Sequence, residues 1–340
     1  MRRPPLPSAV TPSTGTALLD VRDLDVRFRT NGGSVQAVSG VSFAVHDRET
    51  IGLVGESGCG KSTLAFALMG LLPANGRITA GQMQFEGQDL ARLRPRDWRS
   101  LRGNRLSMIF QNPMTSLDPA YTVGAQIVDV LHQHRGLSGA AAREEAIDLL
   151  RRVGISAPAA RLGAHPDQLS GGMRQRVVIA IALACNPALL IADEPTTALD
   201  VTIQAQILDL LRGLRAERGA AILLITHDLG VVAQLCDRVA VMYAGRLVED
   251  APVAAVFAAP RHPYTMALLR SIPVRGRARG TLDTIEGAVP NLSAPPPGCP
   301  FAPRCPHRMP VCTQVMPPLR SVGTPAAMQR VACHLYEEAL

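Results

Sequence analysis

A glycine-rich segment in the first quarter of the chain contains the residue types that hold nucleotide phosphates. Residues 55–63 read Gly-Glu-Ser-Gly-Cys-Gly-Lys-Ser-Thr and follow the apolar run 50–54. Glycines let successive backbone N–H groups turn toward phosphate oxygens, and a following helix adds the positive end of its dipole. Lys61, the only lysine of the chain, would neutralise the β- and γ-phosphates, and Ser62 would ligate Mg²⁺. The predicted nucleotide-binding residues of this segment are Gly55, Glu56, Ser57, Gly58, Cys59, Gly60, Lys61, Ser62 and Thr63.

A pair of carboxylates follows a second apolar run. Asp193 and Glu194 come directly after residues 189–192, and α/β proteins bind ligands at the carboxyl ends of such strands. Asp193 is expected to hold Mg²⁺ through water, which leaves Glu194 to polarise an attacking water molecule. Alone, the pair could equally cap a helix or lie in a solvated turn. Together with the phosphate-binding segment it indicates nucleotide hydrolysis.

The elements that must position these groups alternate between strands and helices. Buried strands between amphipathic helices predict an α/β fold with a mainly parallel sheet. The runs 24–29 and 41–46 predict an antiparallel β-subdomain at the N-terminal side, and residues 113–170 predict an inserted helical lobe without a buried strand. The predicted strands are 50–54, 189–192, 221–226 and 238–243, and the predicted helices are 61–72, 123–134, 141–153, 171–184 and 203–217.

Length, charge and hydropathy exclude several classes of protein. The chain has 340 residues, of which 47% are hydrophobic, and a net charge of +7, which excludes fibrous and disordered classes. Its longest apolar run, 177–185, is shorter than the roughly 18–20 residues that cross a bilayer as a helix. Residues 1–16 carry several prolines and no apolar segment, so we expect a disordered tail and not a secretory signal. The arginine-rich stretch 92–105 is interpreted as a solvated surface, not a nucleic-acid site.

The C-terminal part of the chain, residues 251–340, is rich in proline and contains four cysteines. Their spacing, C-x5-C-x6-C-x20-C, matches neither a zinc ribbon nor a ferredoxin. A strand-poor segment without its own core can gain folding free energy from metal ligation. We therefore predict a structural metal centre at Cys299, Cys305, Cys312 and Cys333.

A third motif, Leu-Ser-Gly-Gly-Met-Arg-Gln at residues 169–175, matches the signature sequence of ATP-binding cassette (ABC) ATPases, and the chain resembles that family. The resemblance implies that the signature of one subunit closes over the γ-phosphate held by another. Because the chain has one signature and one phosphate-binding segment, the resemblance implies that two subunits form a dimer. The signature residues that would contact the partner's ATP are Ser170, Gly171, Gly172 and Gln175.

Other positions match the family one by one. Gln111 matches the glutamine that senses Mg²⁺ and joins the core to the helical lobe, and His227 matches the histidine that steadies the γ-phosphate. Phe28 matches the aromatic residue that stacks on adenine. The implied catalytic residues are Glu194, His227 and Gln111, the implied magnesium ligands are Ser62, Gln111 and Asp193, and the loop that contacts the opposite subunit is Ala198, Leu199 and Asp200. The implied fold is a P-loop NTPase (RecA-like) core with a C-terminal extension.

Residues 261–265, Arg-His-Pro-Tyr-Thr, and the segment 298–305 resemble the extension of ATPases from oligopeptide and dipeptide importers. Members of that branch carry a 4Fe–4S cluster on such cysteines, which ranks the cluster above Zn²⁺ and above free thiols for this chain. His-Pro-Tyr itself is interpreted as a turn with a packed ring, without a catalytic role. The expected domains are a tail at 1–16, the ATPase at 17–250 and the extension at 251–340.

The resemblance implies an ATPase subunit at the cytoplasmic face of the cell membrane that drives import of di- or oligopeptides. Its expected partners are a second cassette ATPase, two transmembrane permease subunits and an extracytoplasmic solute-binding protein. A related but distinct cassette is the expected dimer partner, and a homodimer remains open. Two alternatives remain. The same machinery could import nickel, glutathione or another small solute, or the chain could be a soluble cassette ATPase that acts on nucleic acid or ribosomes.

Overall fold

The computed structural model describes residues 17–197, 200–272, 285–324 and 328–337. The strands are β1 (Leu19–Thr30), β2 (Gly33–Val45), β3 (Thr50–Val54), β4 (Gly76–Phe85), β5 (Gln88–Asp89), β6 (Leu106–Ile109), β7 (Leu189–Asp193), β8 (Ala221–Ile225), β9 (Arg238–Tyr243), β10 (Arg246–Pro252), β11 (Arg320–Val322) and β12 (Gln329–Val331). The helices are α1 (Lys61–Leu68), α2 (Pro95–Leu101), α3 (Pro113–Ser116), α4 (Val123–Arg135), α5 (Gly139–Arg152), α6 (Pro158–Arg161), α7 (Gly171–Leu183), α8 (Val201–Arg218), α9 (Leu229–Leu235), α10 (Val253–Ala258) and α11 (Pro263–Arg270).

The chain divides into two compact units. The first consists of Met1–His46, Thr50–Ala91 and Ile225–Leu340, and the second of Asp47–Glu49 and Arg92–Leu224. The expected extension therefore belongs to the same unit as the phosphate-binding segment, whereas the expected helical lobe lies in the second unit. Within the described residues, no helix combines the length and the apolar character needed to cross a membrane.

An antiparallel sheet forms one part of the first unit. Its strand order is β2-β1-β4-β5, which confirms that 24–29 and 41–46 are antiparallel strands. On β1, Leu19 and Val21 face the core, and so do Leu24 and Val26. Val21 and Leu24 are three positions apart, whereas residues on one face of a regular strand are two apart. The pairing of β1 with β2 shifts its register between these two residues. This β-bulge returns the second apolar pair to the buried face.

A second, mixed sheet completes the first unit, with the order β11-β12-β10-β9-β3. β3 pairs with β9 in parallel, and every residue of β3 is buried. The remaining neighbours are antiparallel, and β12 pairs with β10 through Glu249 and Asp250. Strands from the C-terminal part of the chain thus extend this sheet. The segment is poor in strands, as expected, since β11 and β12 have three residues each. The expectation that it lacks a core was wrong, because Phe301 and Val331 are fully buried there.

The second unit contains the strands β8, β7 and β6 in that order. Strands β6 and β7 are parallel, and their pairing begins with Leu106 opposite Leu189. The predicted helices 123–134 and 141–153 are confirmed as α4 and α5. They pack against each other through one apolar face each, with Ile127 and Leu131 on α4 and Ala142 and Ala146 on α5 fully buried. Between residues 113 and 167 the structure contains helices joined by loops and no strand, as predicted.

The predicted strands 50–54, 189–192, 221–226 and 238–243 are confirmed within a residue, as are helices 171–184 and 203–217 within about two residues. The helix predicted for 61–72 is shorter and ends at Leu68. Gly70 has a φ of +60°, and the N–H of Leu71 donates to the carbonyl of Phe66. This is a glycine-dependent helix stop, and Pro73 beyond it prevents any continuation.

Candidate nucleotide-binding site

The phosphate-binding loop connects β3 to α1 and lies in the first unit. Two of its glycines, Gly55 and Gly60, are required because other backbone segments approach them closely. A Cβ at Gly60, where φ is +104°, would lie 2.4 Å from the carbonyl oxygen of Ala37, and one at Gly55 would lie 2.1 Å from that of Met242. Because any side chain would collide with these backbones, the loop can adopt its curvature only with glycine at both positions. Ser57 and Gly58 lie at its exposed outer side.

Lys61 is buried at the N-terminus of α1, and its ammonium group is fixed by the loop itself. The Nζ atom donates to the carbonyl oxygens of Gly55 at 2.8 Å and Glu56 at 3.0 Å. The Cys59 side chain is also buried, with its Sγ 3.7 Å from Nζ. Burial raises the pKa of the Cys59 thiol, which favours a neutral packing residue. The site therefore presents one fixed positive charge beside the backbone N–H groups of a helix start.

Glu56 has its polar groups engaged by the protein. Its backbone N–H donates to Tyr264 Oη at 2.8 Å, and its carboxylate accepts two hydrogen bonds from Arg304, at 2.8 and 3.0 Å. Sequence reasoning placed Glu56 in the nucleotide site by its position in the motif, and it missed Tyr264 and Arg304. The local signal for Tyr264 is the His-Pro-Tyr motif, whose interpretation as a turn with a packed ring is correct for the ring, since Tyr264 is fully buried.

The His-Pro-Tyr motif begins α11. His262 is fully buried and caps this helix, because its Nδ1 accepts the backbone N–H of Tyr264 at 3.0 Å. Burial lowers the pKa of His262 to about 3, so the ring is neutral and Nδ1 can act as an acceptor. The backbone N–H of His262 donates to the buried carboxylate of Glu249 at 2.9 Å. These contacts fix the turn and with it the direction of the Tyr264 hydroxyl.

The predicted carboxylates lie at the end of β7, in the second unit. Asp193 is buried and Glu194 is half-buried. The Oε2 atom of Glu194 accepts hydrogen bonds from Gln111 Nε2 at 3.1 Å and from Thr197 Oγ1 at 2.8 Å. Gln111 follows β6, and because β6 and β7 are parallel neighbours their carboxyl ends meet at one edge. The structure thus brings together two predicted catalytic residues that are 83 positions apart.

The signature segment starts α7 in the second unit. Ser170 is the N-cap, and its Oγ accepts the N–H of Met173 at 3.3 Å. Ser170 and Gly171 are exposed and Gly172 is half-buried, so the helix start is accessible to an anion. Gln175 is buried, and its Nε2 donates to the carbonyl of Pro195 at 2.9 Å. This bond ties the signature helix to the segment that follows Glu194.

The remaining predicted positions are distributed over both units. In the first, His227 is exposed after β8, and the half-buried ring of Phe28 packs over Gly76 on β4. In the second, Asp200 is exposed and caps α8 by accepting the N–H of Ile203 at 2.9 Å. Ala198 and Leu199 lie outside the described residues.

The four C-terminal cysteines, Cys299, Cys305, Cys312 and Cys333, line one shared cavity that is partly open to solvent. Burial, together with the electrostatic effect of the other three cysteines, raises the pKa of the Cys333 thiol to about 11. Burial likewise raises the pKa values of Cys299 and Cys305. Throughout the part of the chain that the structure describes, no three His, Cys, Asp or Glu side chains form a group that could hold a metal ion.

Comparisons with known proteins agree with this arrangement. Residues 38–197 match the family model described as ABC transporter, and residues 248–312 match the model described as oligopeptide/dipeptide transporter, C-terminal region. The chain is 53% identical over 301 residues to the dipeptide transport ATP-binding protein DppD of Bacillus subtilis, covering 88% of this chain and 90% of that protein. It is 51% identical over 310 residues to the oligopeptide transport ATP-binding protein OppD of Salmonella typhimurium, covering 91% and 92%.

Solved structures show that the fold is that of an ATP-binding cassette. The ATP-binding cassette MJ0796, a dimer in a post-hydrolysis state bound to ADP and Pi, is similar with a TM-score of 0.63 and 27% identity, covering 69% of this chain and 98% of that one. The protein cbiO1 of Clostridium perfringens is similar with a TM-score of 0.60 and 28% identity, covering 72% and 91%. The α/β fold with its phosphate-binding loop defines an ATPase cassette. The chain belongs to the ATP-binding subunits of the ABC transporter family, in the branch with the oligopeptide/dipeptide C-terminal region, and it is an ATP-hydrolysing enzyme.

Proposed function

We propose that this chain energises the import of di- or oligopeptides across the cytoplasmic membrane from its cytoplasmic face. The observation that carries the proposal is the identity of about half of all residues to peptide-transport ATP-binding proteins, maintained through the C-terminal region. An ATP-binding cassette can be shorter than this chain, since MJ0796 is matched over 98% of its length by 69% of this chain. The extension therefore supports a specific branch of importers and not cassettes in general.

The proposed division of work within the chain follows from the chemistry of its side chains. Phosphoryl transfer to water needs a positioned nucleophile and neutralised phosphate charge. Lys61 would neutralise phosphate, and Glu194, oriented by Gln111 and Thr197, would accept a proton from the attacking water. His227 would donate a hydrogen bond to the γ-phosphate. Mg²⁺, when bound with ATP, would be held by Ser62, Asp193 and Gln111 and would supply further charge neutralisation.

The proposed assembly contains two cassettes, because the signature of one subunit would cover the ATP held by the other. Ser170, Gly171, Gly172 and Gln175 would serve the partner's site, and Ala198, Leu199 and Asp200 would contact the partner. The proposed remaining partners are two permease subunits and a solute-binding protein. We favour a related, distinct cassette as the second ATPase, with a homodimer as the alternative.

The assembly can be tested by affinity purification of the tagged chain from gentle membrane extracts of its native host, followed by mass spectrometry. We expect two polytopic membrane proteins, a second cassette ATPase and a solute-binding protein. Recovery of ribosomes or nucleic-acid enzymes from the soluble fraction, without a permease, would refute the transport function. The captured binding protein would then be titrated with dipeptides, longer peptides, Ni²⁺ and glutathione. If it bound Ni²⁺ or glutathione but no peptide, that solute and not a peptide would be the transported substrate.

We also propose that Cys299, Cys305, Cys312 and Cys333 hold a 4Fe–4S cluster, with Zn²⁺ as the alternative. A shared cavity lined by four thiols supports a thiolate-ligated centre, because buried thiols ionise only when a cation compensates their charge. The cluster is favoured over Zn²⁺ because members of the importer branch that this chain resembles carry a 4Fe–4S cluster on such cysteines.

The metal centre can be tested by anaerobic purification with iron, sulfide and zinc analysis. A cluster predicts a brown protein that absorbs near 400 nm, and Cys305→Ser should reduce this absorbance. The half-buried Cys185 lies outside the cavity, so Cys185→Ser provides the matched control. Stoichiometric zinc in a colourless protein would refute the cluster in favour of a zinc site. Absence of both metals would refute a metal centre and show that the thiols are unliganded.

A further inference from the structure

Arg304, in the C-terminal part of the chain, has every N–H group of its guanidinium engaged. Besides the two bonds to the Glu56 carboxylate, Nε donates to the carbonyl of Glu286 at 2.8 Å, Nη1 to Tyr243 Oη at 3.2 Å and Nη2 to the carbonyl of Ile285 at 2.9 Å. These five bonds use all five donors of an arginine. The Arg304 side chain is only 5% exposed. A group held from this many directions has one orientation, which is set by the carbonyls of Ile285 and Glu286 in the C-terminal segment together with Glu56 and Tyr243.

The aromatic side chains around Arg304 reinforce this orientation. The guanidinium carbon lies 5.8 Å from the ring centroid of Tyr243 and 5.9 Å from that of Phe301. Tyr243, Tyr264 and Phe301 pack on one another with centroid separations of 4.6–5.4 Å. All three rings are fully buried. Arg304 and Tyr264, which both bind Glu56, are therefore parts of one packed cluster.

The Glu56 carboxylate presents an electrostatic problem for a phosphate site. Glu56 is the second residue of the phosphate-binding loop, and a negative charge there repels the anionic phosphates that the loop binds. Arg304 compensates that charge in a bidentate ion pair, in which two N–H groups donate to the two carboxylate oxygens. This is the strongest geometry for an arginine–carboxylate pair. Tyr264 Oη adds a hydrogen bond to the loop backbone at the same residue. The loop is thus both neutralised and held in shape by residues that are more than 200 positions away in the sequence.

We propose that Arg304 and Tyr264 are positioning residues for ATP binding, which fix the phosphate-binding loop through Glu56. We name Glu56, Tyr264 and Arg304 the loop brace. The brace neutralises the loop carboxylate and holds the loop backbone in the conformation that accepts phosphates. The inference rests on ATP binding by the cassette and does not depend on which solute is transported. It assigns a function in the nucleotide site to the C-terminal extension.

The test is a titration of the purified full-length chain with a fluorescent ATP analogue and Mg²⁺. Arg304→Gln leaves the Glu56 carboxylate uncompensated, and we expect the Kd for the nucleotide to rise about tenfold, the size expected for loss of a charged hydrogen bond. Tyr264→Phe keeps the packed ring and removes one acceptor, so we expect a rise of about threefold. In steady-state hydrolysis, the KM for ATP should rise while kcat at saturating ATP stays within about twofold of wild type.

Two further variants separate the brace from a general effect on folding. Glu56→Gln combined with Arg304→Gln removes both charges, and it should bind the nucleotide more tightly than Arg304→Gln alone. Arg304→Lys keeps the charge without the planar fork and should lie between Arg304→Gln and wild type. Arg308 is exposed four residues away, so Arg308→Gln is the matched control and should bind as wild type does.

The inference is overturned if Arg304→Gln and Tyr264→Phe bind the nucleotide with wild-type affinity, or if the double variant is no better than Arg304→Gln. Either result would leave Arg304 as a packing residue of the extension. Failure of the unmodified chain to bind the nucleotide at all would instead contradict the ATPase assignment. The two failures are therefore distinguishable in the same titration.

Discussion

The carboxylate of Asp250 links its own strand of the mixed sheet to the neighbouring strand on either side, and its removal allows a quantitative prediction. Asp250 lies on β10, and its side chain is 1% exposed. It accepts two hydrogen bonds from Arg238 on β9, at 2.7 and 2.9 Å, and one from Arg330 on β12, at 3.1 Å. The substitution Asp250→Asn keeps the shape of the side chain and removes its charge. Two arginines would then be left without their shared counter-ion.

The expected cost follows from the burial of this ion-pair group. Removing one member of a buried ion pair costs roughly 3–5 kcal/mol, and the partial exposure of Arg238 and Arg330, 20% and 37%, lets water compensate some of the loss. We therefore expect the free energy of unfolding to fall by about 3 kcal/mol, which lowers Tm by about 6–10 °C for a domain of this size. Differential scanning fluorimetry at neutral pH measures this shift directly.

Asp209→Asn is the matched control for Asp250→Asn. Asp209 pairs with Arg212 on the surface of α8, and its side chain is 70% exposed. Exposed ion pairs contribute about 0–1 kcal/mol, so we expect its Tm to change by no more than about 2 °C. Equal shifts for the two variants would refute the reasoning, because burial would then not decide the strength of the pair.

Three further outcomes are expected. Gly60→Ala should abolish binding of a fluorescent ATP analogue, because the new Cβ would meet the Ala37 carbonyl at 2.4 Å. Gly213→Ala on α8, where a Cβ meets nothing within 4 Å, should bind normally and gain about 0.5–1 kcal/mol of stability in denaturant titrations. Glu194→Gln should bind ATP without hydrolysing it and accumulate as an ATP-held dimer in size-exclusion chromatography. If that variant hydrolysed ATP at the full rate, Glu194 would not be the residue that accepts a proton from the attacking water.

Much of the nucleotide site could be predicted from the sequence because its parts are contiguous. The phosphate-binding loop and the signature segment each lie within nine residues, so residue type and spacing define them without knowledge of the fold. The strand over 50–54 was equally clear, since it is an uninterrupted apolar run before a glycine-rich loop. Contacts within such segments depend on local backbone geometry, which the sequence expresses directly.

The parts that could not be predicted depend on distant pairing. β6 has four residues, Leu106–Ile109, and is buried through its pairing with β7, so no periodic pattern distinguishes it from a loop. Strands β11 and β12 have three residues each. They are defined by their pairing, because β12 pairs with β10 and β11 pairs with β12. Arg304 is one of many arginines in the chain, and only the fold shows that it reaches Glu56. Tertiary context decided each of these features.

The loop brace has a consequence for how the protein is made. Glu56 and Arg304 are separated by 248 positions in the sequence, so the ribosome completes the phosphate-binding loop long before it synthesises the residue that neutralises it. Contacts of such long range form late and slow folding. A nascent chain that ends before Arg304 would carry the whole loop motif and still lack its brace. Premature termination before Arg304 would therefore yield a cassette that keeps the motifs of an ATPase and binds its nucleotide more weakly.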